Sequence, residues 1–200
     1  MAPQPVLYII RHGETDLNAG NKFRGFMDVE LDSNGRRQAE EARKFLQGVH
    51  FAQAYSSDLR RAAETLDIVL KGDKGLMPER LCALRPWNIG AMAGQQKSAA
   101  NKQKLSEYAD NPDEPVPGGE SLAWFRSRYK NVLGDILAKQ GPTLIVQHAS
   151  NDHEVGNILH HDIDALDVEP GGIIGIFKGP NGFAGKILKG QHTQAADYNS

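Results

Sequence analysis

The sequence predicts an α/β protein, a three-layer α/β/α sandwich with a mostly parallel central sheet. Short apolar runs alternate with stretches of helical periodicity along most of the 200 residues, the pattern of a sheet covered on both faces. Three of these runs end in residues able to do chemistry, at the place where open α/β sheets hold their ligands. Hydrophobic residues make up 40% and charged residues 24%, which suits a globular chain large enough to need no staples.

Val6–Ile10 follows two prolines and reads as a buried strand running into Arg11-His12-Gly13-Glu14. Residues 13–32 are rich in Gly, Asn and Asp and read as a loop. A helix then starts near Ser33, with Asp32 or Ser33 as N-cap, and presents Ala39, Ala42, Phe45 and Leu46 as its apolar stripe until Gly48. Phe51–Tyr55 is the next strand. Ser56-Ser57-Asp58 leads into a helix through about Leu70, with Leu59, Ala62, Leu66 and Val69 inward. Leu81–Leu84 is expected as a brief strand.

Residues 86–119 are the least regular part, with Pro86, Pro112, Pro115 and Pro117 around one helix, about 98–109. Such segments tend to be binding loops, so this one is expected to set specificity within a single domain spanning 1–200. Leu122, Phe125, Tyr129, Val132, Leu133, Ile136 and Leu137 step by three and four and define a helix over Ser121–Lys139. Thr143–Gln147 is a strand ending at His148, and a helix over Asp152–Leu159 follows. Ile173–Phe177 and Phe183–Leu188 read as a hairpin about Gly179-Pro180-Asn181-Gly182. The last ten residues are polar and are expected to fray.

The formal net charge of −2 argues against a partner held by counterion release, so no nucleic acid is expected. No apolar run approaches a membrane span, and the start of the chain lacks the basic region of a signal peptide. Cys82 is the one cysteine, which excludes a disulfide framework and fits a reducing, cytoplasmic setting. The expected partner is a phosphorylated substrate, and a homodimer is left open.

Two histidines and at least two arginines converge on the strand ends: Arg11-His12, Arg60-Arg61 after Ser56-Ser57, and His148. Phosphoryl transfer needs a lone-pair nucleophile, which neutral imidazole supplies. It also needs fixed positive charge on the equatorial oxygens, which arginine forks and a helix N-terminus supply. This set provides both without metal or other cofactor. Taken singly, a histidine after a strand is more often structural and Arg60 and Arg61 read as solvated helix charges; the joint pattern favours an anion site.

Arg11-His12-Gly13-Glu14-Thr15 with Asn18 resembles the opening motif of the histidine phosphatase superfamily, the phosphoglycerate mutase-like fold. The likeness continues through Phe23-Arg24-Gly25, Asp28, Leu31 and Gly35-Arg36-Arg37-Gln38-Ala39. Ser56-Ser57-Asp58-Leu59-Arg60-Arg61-Ala62 with Thr65, Gly118-Gly119-Glu120-Ser121 and Leu144–His148 extend it in order and spacing. The resemblance implies that His12 is the phosphorylated nucleophile, that Arg11 and Arg61 bind the phosphoryl group, and that His148 stabilises the transferring group. It also places Asn18, Arg24 and Ala149 among the phosphate- or substrate-binding positions.

One departure stands out. Relatives carry a leaving-group acid, a glutamate, in a Leu-x-Glu-x-x-x-Gly pattern, and here Leu84-Arg85-Pro86-Trp87-Asn88-Ile89-Gly90 puts Pro86 in its place. Either Asp152, Glu120 or Glu14 acts instead, with Asp152 also readable as a first-turn helix acid, or the substrate has a good leaving group. The expected activity is a metal-independent phosphatase working through phosphohistidine at His12. A mutase of the same fold and a phosphate-ligand binding protein with little turnover are the alternatives. Trp124 and Cys82 are expected to be buried, Trp87 to line or cover the pocket, and Lys102 and Lys104 to be solvated. His160-His161-Asp162 resembles a metal cluster but lacks a third spaced ligand and reads as a helix-end cation.

Overall fold

The computed structural model describes residues 4–73, 75–159 and 166–191. Its strands are β1 (Leu7–Arg11), β2 (Gln53–Ser56), β3 (Glu79–Arg80), β4 (Thr143–Gln147), β5 (Val168–Gly179) and β6 (Gly182–Gln191). Its α-helices are α1 (Asp16–Ala19), α2 (Ser33–Phe45), α3 (Arg60–Val69), α4 (Ala99–Asp110), α5 (Leu122–Leu137) and α6 (Ala149–Leu159). They form one sheet in the order β3-β2-β4-β1-β5-β6. The first four strands are parallel, and the β5–β6 hairpin joins β1 antiparallel.

The layers follow from the two-residue alternation of strand side chains. Leu7, Ile9, Tyr55, Ile145 and Ile176 face Phe125, Tyr129 and Leu133 of α5 and Val155 of α6. Tyr8, Ile10, Ala54, Leu144 and Val146 face Ala42 of α2 and Leu66 and Val69 of α3. Asp32 caps α2 by accepting the Gly35 N–H at 2.7 Å, as its sequence position predicts, and Ser121 caps α5.

Several expectations change. The strand expected at Leu81–Leu84 is displaced to Glu79–Arg80, and Cys82–Leu84 is a 3₁₀ turn that buries Leu84 and leaves Cys82 exposed. Trp124 is 64% exposed, because the buried face of α5 passes through Leu122 and Phe125 on either side of it. Phe45 is 49% exposed, since Leu46 at the C-cap turns inward in its stead. The loop over 13–32 contains the one-turn helix α1, held by a Thr15–Asn18 capping box. Helix α6 starts at Ala149, ahead of the expected Asp152. The hairpin strands run longer than expected, joined through Pro180-Asn181.

Segment 86–119 packs into the main core through Trp87, Ile89, Met92, Leu105 and Val116. Its motif glycines have separate reasons: a Cβ on Gly119 would lie 2.2 Å from the Asn88 oxygen, while Gly118 has open space around it but a φ of +72°. Lys104 is exposed and Lys102 half-buried. His160-His161-Asp162 and the last nine residues lie outside the described residues. Among the described residues no helix is long and apolar enough to cross a membrane.

Candidate active site

The carboxyl ends of β1, β2 and β4 meet at one edge of the sheet. The His12 N–H donates to the Gln147 oxygen at 3.0 Å, which extends the β1–β4 ladder by one residue. His148 follows β4, and its ring lies 5.1 Å from that of His12 between centroids, edge to face. Ser57 follows β2, and Arg61 stands in the first turn of α3. His12, His148, Arg11, Arg24 and Arg61 are all buried.

The His12 tautomer is fixed by its neighbour. Nδ1 lies 2.7 Å from the Gly13 carbonyl, which can only accept, so Nδ1 carries the hydrogen and Nε2 the lone pair. Nε2 is buried with no protein partner. Burial, followed by the charges of Arg61 and Arg24, holds the imidazole well below the ordinary histidine range. The ring is therefore neutral and nucleophilic at neutral pH. Ser57 Oγ lies 2.7 Å from His148 Nε2, while His148 Nδ1 has no protein partner. Burial and Arg61 keep His148 neutral as well until an anion arrives to favour its charged, donating form.

One consequence is measurable. After correction for the substrate's own ionisation, kcat/KM on an aryl phosphate is expected to hold steady as pH falls through about 6.5, the ordinary histidine value. A limb centred there would mean that His12 titrates as an exposed histidine.

The guanidinium groups are anchored from behind. Arg61 Nη1 and Nη2 donate to the Met27 and Gly25 oxygens at 2.7 and 2.9 Å, and Arg11 Nη1 donates to the Val168 oxygen at 2.7 Å with Asp167 at 3.4 Å. The Nε atoms of both arginines are buried and unpartnered, as is Arg24 Nη1. Burial pushes Arg61 down to about 10, and burial with the charges of Arg11 and Arg61 pushes Arg24 well below the arginine range. A guanidinium keeps its proton even so, and the price is poorly compensated positive charge. Five buried nitrogens thus lack protein partners at one strand edge, an arrangement suited to an anion. Arg60, beside Arg61, is exposed and pairs with Glu30, so the two neighbours divide between surface and site.

The candidate acids are placed differently from one another. Asp152 is buried in the first turn of α6, where Oδ1 accepts from Gln147 Nε2 at 2.8 Å; Gln147 Oε1 accepts in turn from the Tyr129 hydroxyl at 2.8 Å. Burial raises Asp152 to about 7, opposed by the Gln147 bond and by Arg11. Both oxygens of Glu120 are held, one by Arg128 Nη2 and the Asn88 N–H at 2.6 and 2.9 Å, the other by Arg128 Nε at 3.1 Å. Glu14 accepts from Asn34 Nδ2 at 2.9 Å. Pro86 is buried, with its carbonyl bound to Arg128 at 2.6 Å, and Trp87 covers the corner with its N–H on Ser150 Oγ at 3.2 Å. Asn18 spends its amide oxygen on the Thr15 cap, which leaves its NH₂ group for a ligand. Ala149 is buried and opens α6 directly after His148.

Several supporting residues have no role assigned from the sequence, although Ser57 and Thr65 stand within its motifs. Thr65 Oγ1 accepts the Gly13 N–H at 3.1 Å and donates to the Arg61 oxygen at 2.7 Å, tying the nucleophile loop to α3. Ser57 orients His148, and Gln147 and Tyr129 hold Asp152. Gln147 does leave a trace, as the polar residue that breaks an apolar strand just before His148. Asp167 leaves none. Among the described residues no three His, Cys, Asp or Glu side chains come together as a metal site.

This fold and edge pocket define an α/β protein with a buried anion site built on two histidines and three arginines. The profile of the histidine phosphatase superfamily (branch 1) matches residues 7–152, and the chain belongs to that family. It is 38% identical to a 2,3-bisphosphoglycerate-dependent phosphoglycerate mutase of Bradyrhizobium diazoefficiens over 84% of each chain. It is 42% identical to 2,3-bisphosphoglycerate-dependent phosphoglycerate mutase 2 of Latilactobacillus sakei, over 82% of this chain and 88% of the other. Among solved structures, phosphoglycerate mutase from Bacillus anthracis superposes with a TM-score of 0.77 at 25% identity, covering 93% of both chains.

Proposed function

We propose that this chain is a phosphatase that passes the phosphoryl group through His12 and acts on substrates with good leaving groups. The observation that carries the reading is the set of unpartnered nitrogens around a lone-pair Nε2, with both oxygens of Glu120 bonded and Asp152 held through Oδ1 by Gln147 while its Oδ2 has no protein partner. His12 Nε2 attacks phosphorus while the Arg11 and Arg61 guanidiniums and His148 Nδ1 hold the equatorial oxygens. The P–N bond forms as the P–O bond to the leaving group breaks. Water then attacks phosphorus, and the P–N electron pair returns to Nε2. Catalysis of this kind rests on positioning and on charge fixed in advance.

General acid help is worth about 10²–10⁴-fold, and its absence tells most on alkyl esters. Rates across a panel of phosphate esters are therefore expected to fall steeply as the leaving group becomes more basic, and chelators to leave them unchanged. Asp152→Asn is expected to keep the same slope, because Asp152 is tied to Gln147 and balances Arg11. A slope that steepens in Asp152→Asn would make Asp152 the proton donor. Inhibition by a chelator, reversed on adding metal, would count against a metal-free site.

A mutase is the second reading, favoured by the likeness to phosphoglycerate mutases. Incubation with 3-phosphoglycerate, with and without 2,3-bisphosphoglycerate, separates the two. Isomer exchange that exceeds phosphate release selects the mutase.

A further inference from the structure

The Arg24 guanidinium differs from its two neighbours in having nothing behind it. Arg61 and Arg11 rest on backbone oxygens, whereas Arg24 is 8% exposed, its Nη1 is buried and unpartnered, and none of the described residues hydrogen-bonds its guanidinium. Its position comes from the backbone on either side. The Phe23 N–H donates to the Gln95 oxygen at 2.9 Å, and the Gly94 N–H donates to the Phe23 oxygen at 2.8 Å. Gly25 lies so near Ile89 that a Cβ would meet Ile89 Cγ1 at 2.7 Å. Phe26 stacks with Arg85, whose carbon Cζ is 5.0 Å from the ring centroid. Residues 23–26 therefore belong to the same wall as 85–95. That wall offers a buried proline and a Glu120 with both oxygens already bonded, so it carries no free carboxyl group.

We infer that Arg24 stabilises the negative charge on the departing oxygen, doing by fixed charge what a proton donor would do by proton transfer. This rests on the phosphatase reading above. In the first step the His12 Nε2 lone pair forms the P–N bond, and the P–O electron pair stays on the leaving oxygen. That oxygen departs as an anion beside Arg24 and takes its proton from water afterwards. No proton leaves the protein. The arrangement favours leaving groups that are stable anions at neutral pH, as in acyl phosphates and phosphoanhydrides. It gives no help to a leaving nitrogen. The like charges of Arg11 and Arg61 stand nearby with no carboxylate on Arg24 itself, an excess of positive charge that a substrate with a second negative centre would satisfy.

The test is kcat/KM for aryl phosphates whose phenols range from acidic to weakly acidic, with wild type, Arg24→Gln and Arg24→Lys. Arg24→Gln is expected to lose about 10²–10³-fold on the most basic phenol and far less on the most acidic, the size reported for removing one preorganised donor. Arg24→Lys is expected to keep a slope close to that of wild type, whereas Arg24→Gln makes it steeper still. Equal losses across the panel would reduce Arg24 to a phosphate binder and overturn the inference. In phosphate-free buffer Arg24→Gln should unfold no earlier than wild type, since it removes one of three mutually repelling cations. Early unfolding together with uniform loss would assign a structural role and overturn it as well. A wild type that releases no phosphate and carries no label on His12 from any ester overturns the phosphatase reading, and this inference with it.

Discussion

His12→Ala is expected to bring turnover of an aryl phosphate to the background rate while leaving the unfolding transition of the protein in place. The side chain contributes a lone pair that the Gly13 oxygen fixes on Nε2, whereas His148, with Nε2 bound to Ser57, presents Nδ1 to the site as a holder of the phosphoryl oxygens. Quenching the wild type during turnover should trap acid-labile, base-stable phosphate on His12, and the variant should carry none. The fold should tolerate the change well. Burial and neighbouring charge already disfavour a charged ring there, and the hydrogen bond lost at Nδ1 is a local one to the next carbonyl. Full activity in His12→Ala would remove the nucleophile from this account altogether.

Arg11→Ala and Arg61→Ala are each expected to lower kcat/KM by at least about 10²–10³-fold, the loss seen when one preorganised donor is taken from developing charge. Their side effects should differ. Arg61→Ala frees the Met27 and Gly25 oxygens, which loosens the 24–28 segment and blurs the site beyond the missing charge. Arg61→Lys restores a cation but cannot span both oxygens, so only partial recovery is expected. Arg11→Ala strands Asp167 and leaves Asp152 without its largest nearby positive charge. Breaking a buried pair in this way typically costs about 3–5 kcal/mol, so chemical unfolding must be followed beside the kinetics. If either alanine variant kept near-wild activity, the anion would have to be held elsewhere.

The continuous apolar runs of β1 and β4 already marked them as strands covered on both faces, and the two-residue strand period with the helix period, both local properties, specified which residues share a face. The pairing of His12 with His148 was also legible, because both stand at ends of strands that a parallel sheet aligns. What stayed hidden depended on long-range packing. Trp124 reads as core only until the direction of the α5 stripe is known. Cys82 reads as core until the chain turns at Leu84. The Arg11–Asp167 contact joins residues 156 positions apart, and no local pattern encodes it. Pro86 was visible as an anomaly, but its meaning depended on seeing Glu120 already bonded by Arg128.

The glycine of the Arg11-His12-Gly13 turn sits under the start of α2. A Cβ on Gly13 would fall 2.4 Å from the Gly35 oxygen, and one on Gly35 would fall 2.1 Å from the Glu14 oxygen. Each collision is with main chain, so no trimmed side chain at the other position can relieve it. A library that randomises this neighbourhood should therefore recover glycine independently at both sites, with no correlated exchange between them. The two residues form a joint that directed evolution can preserve or break but cannot rebuild by second-site suppression, and inserts meant to retune the substrate belong elsewhere, on the 86–119 side of the pocket.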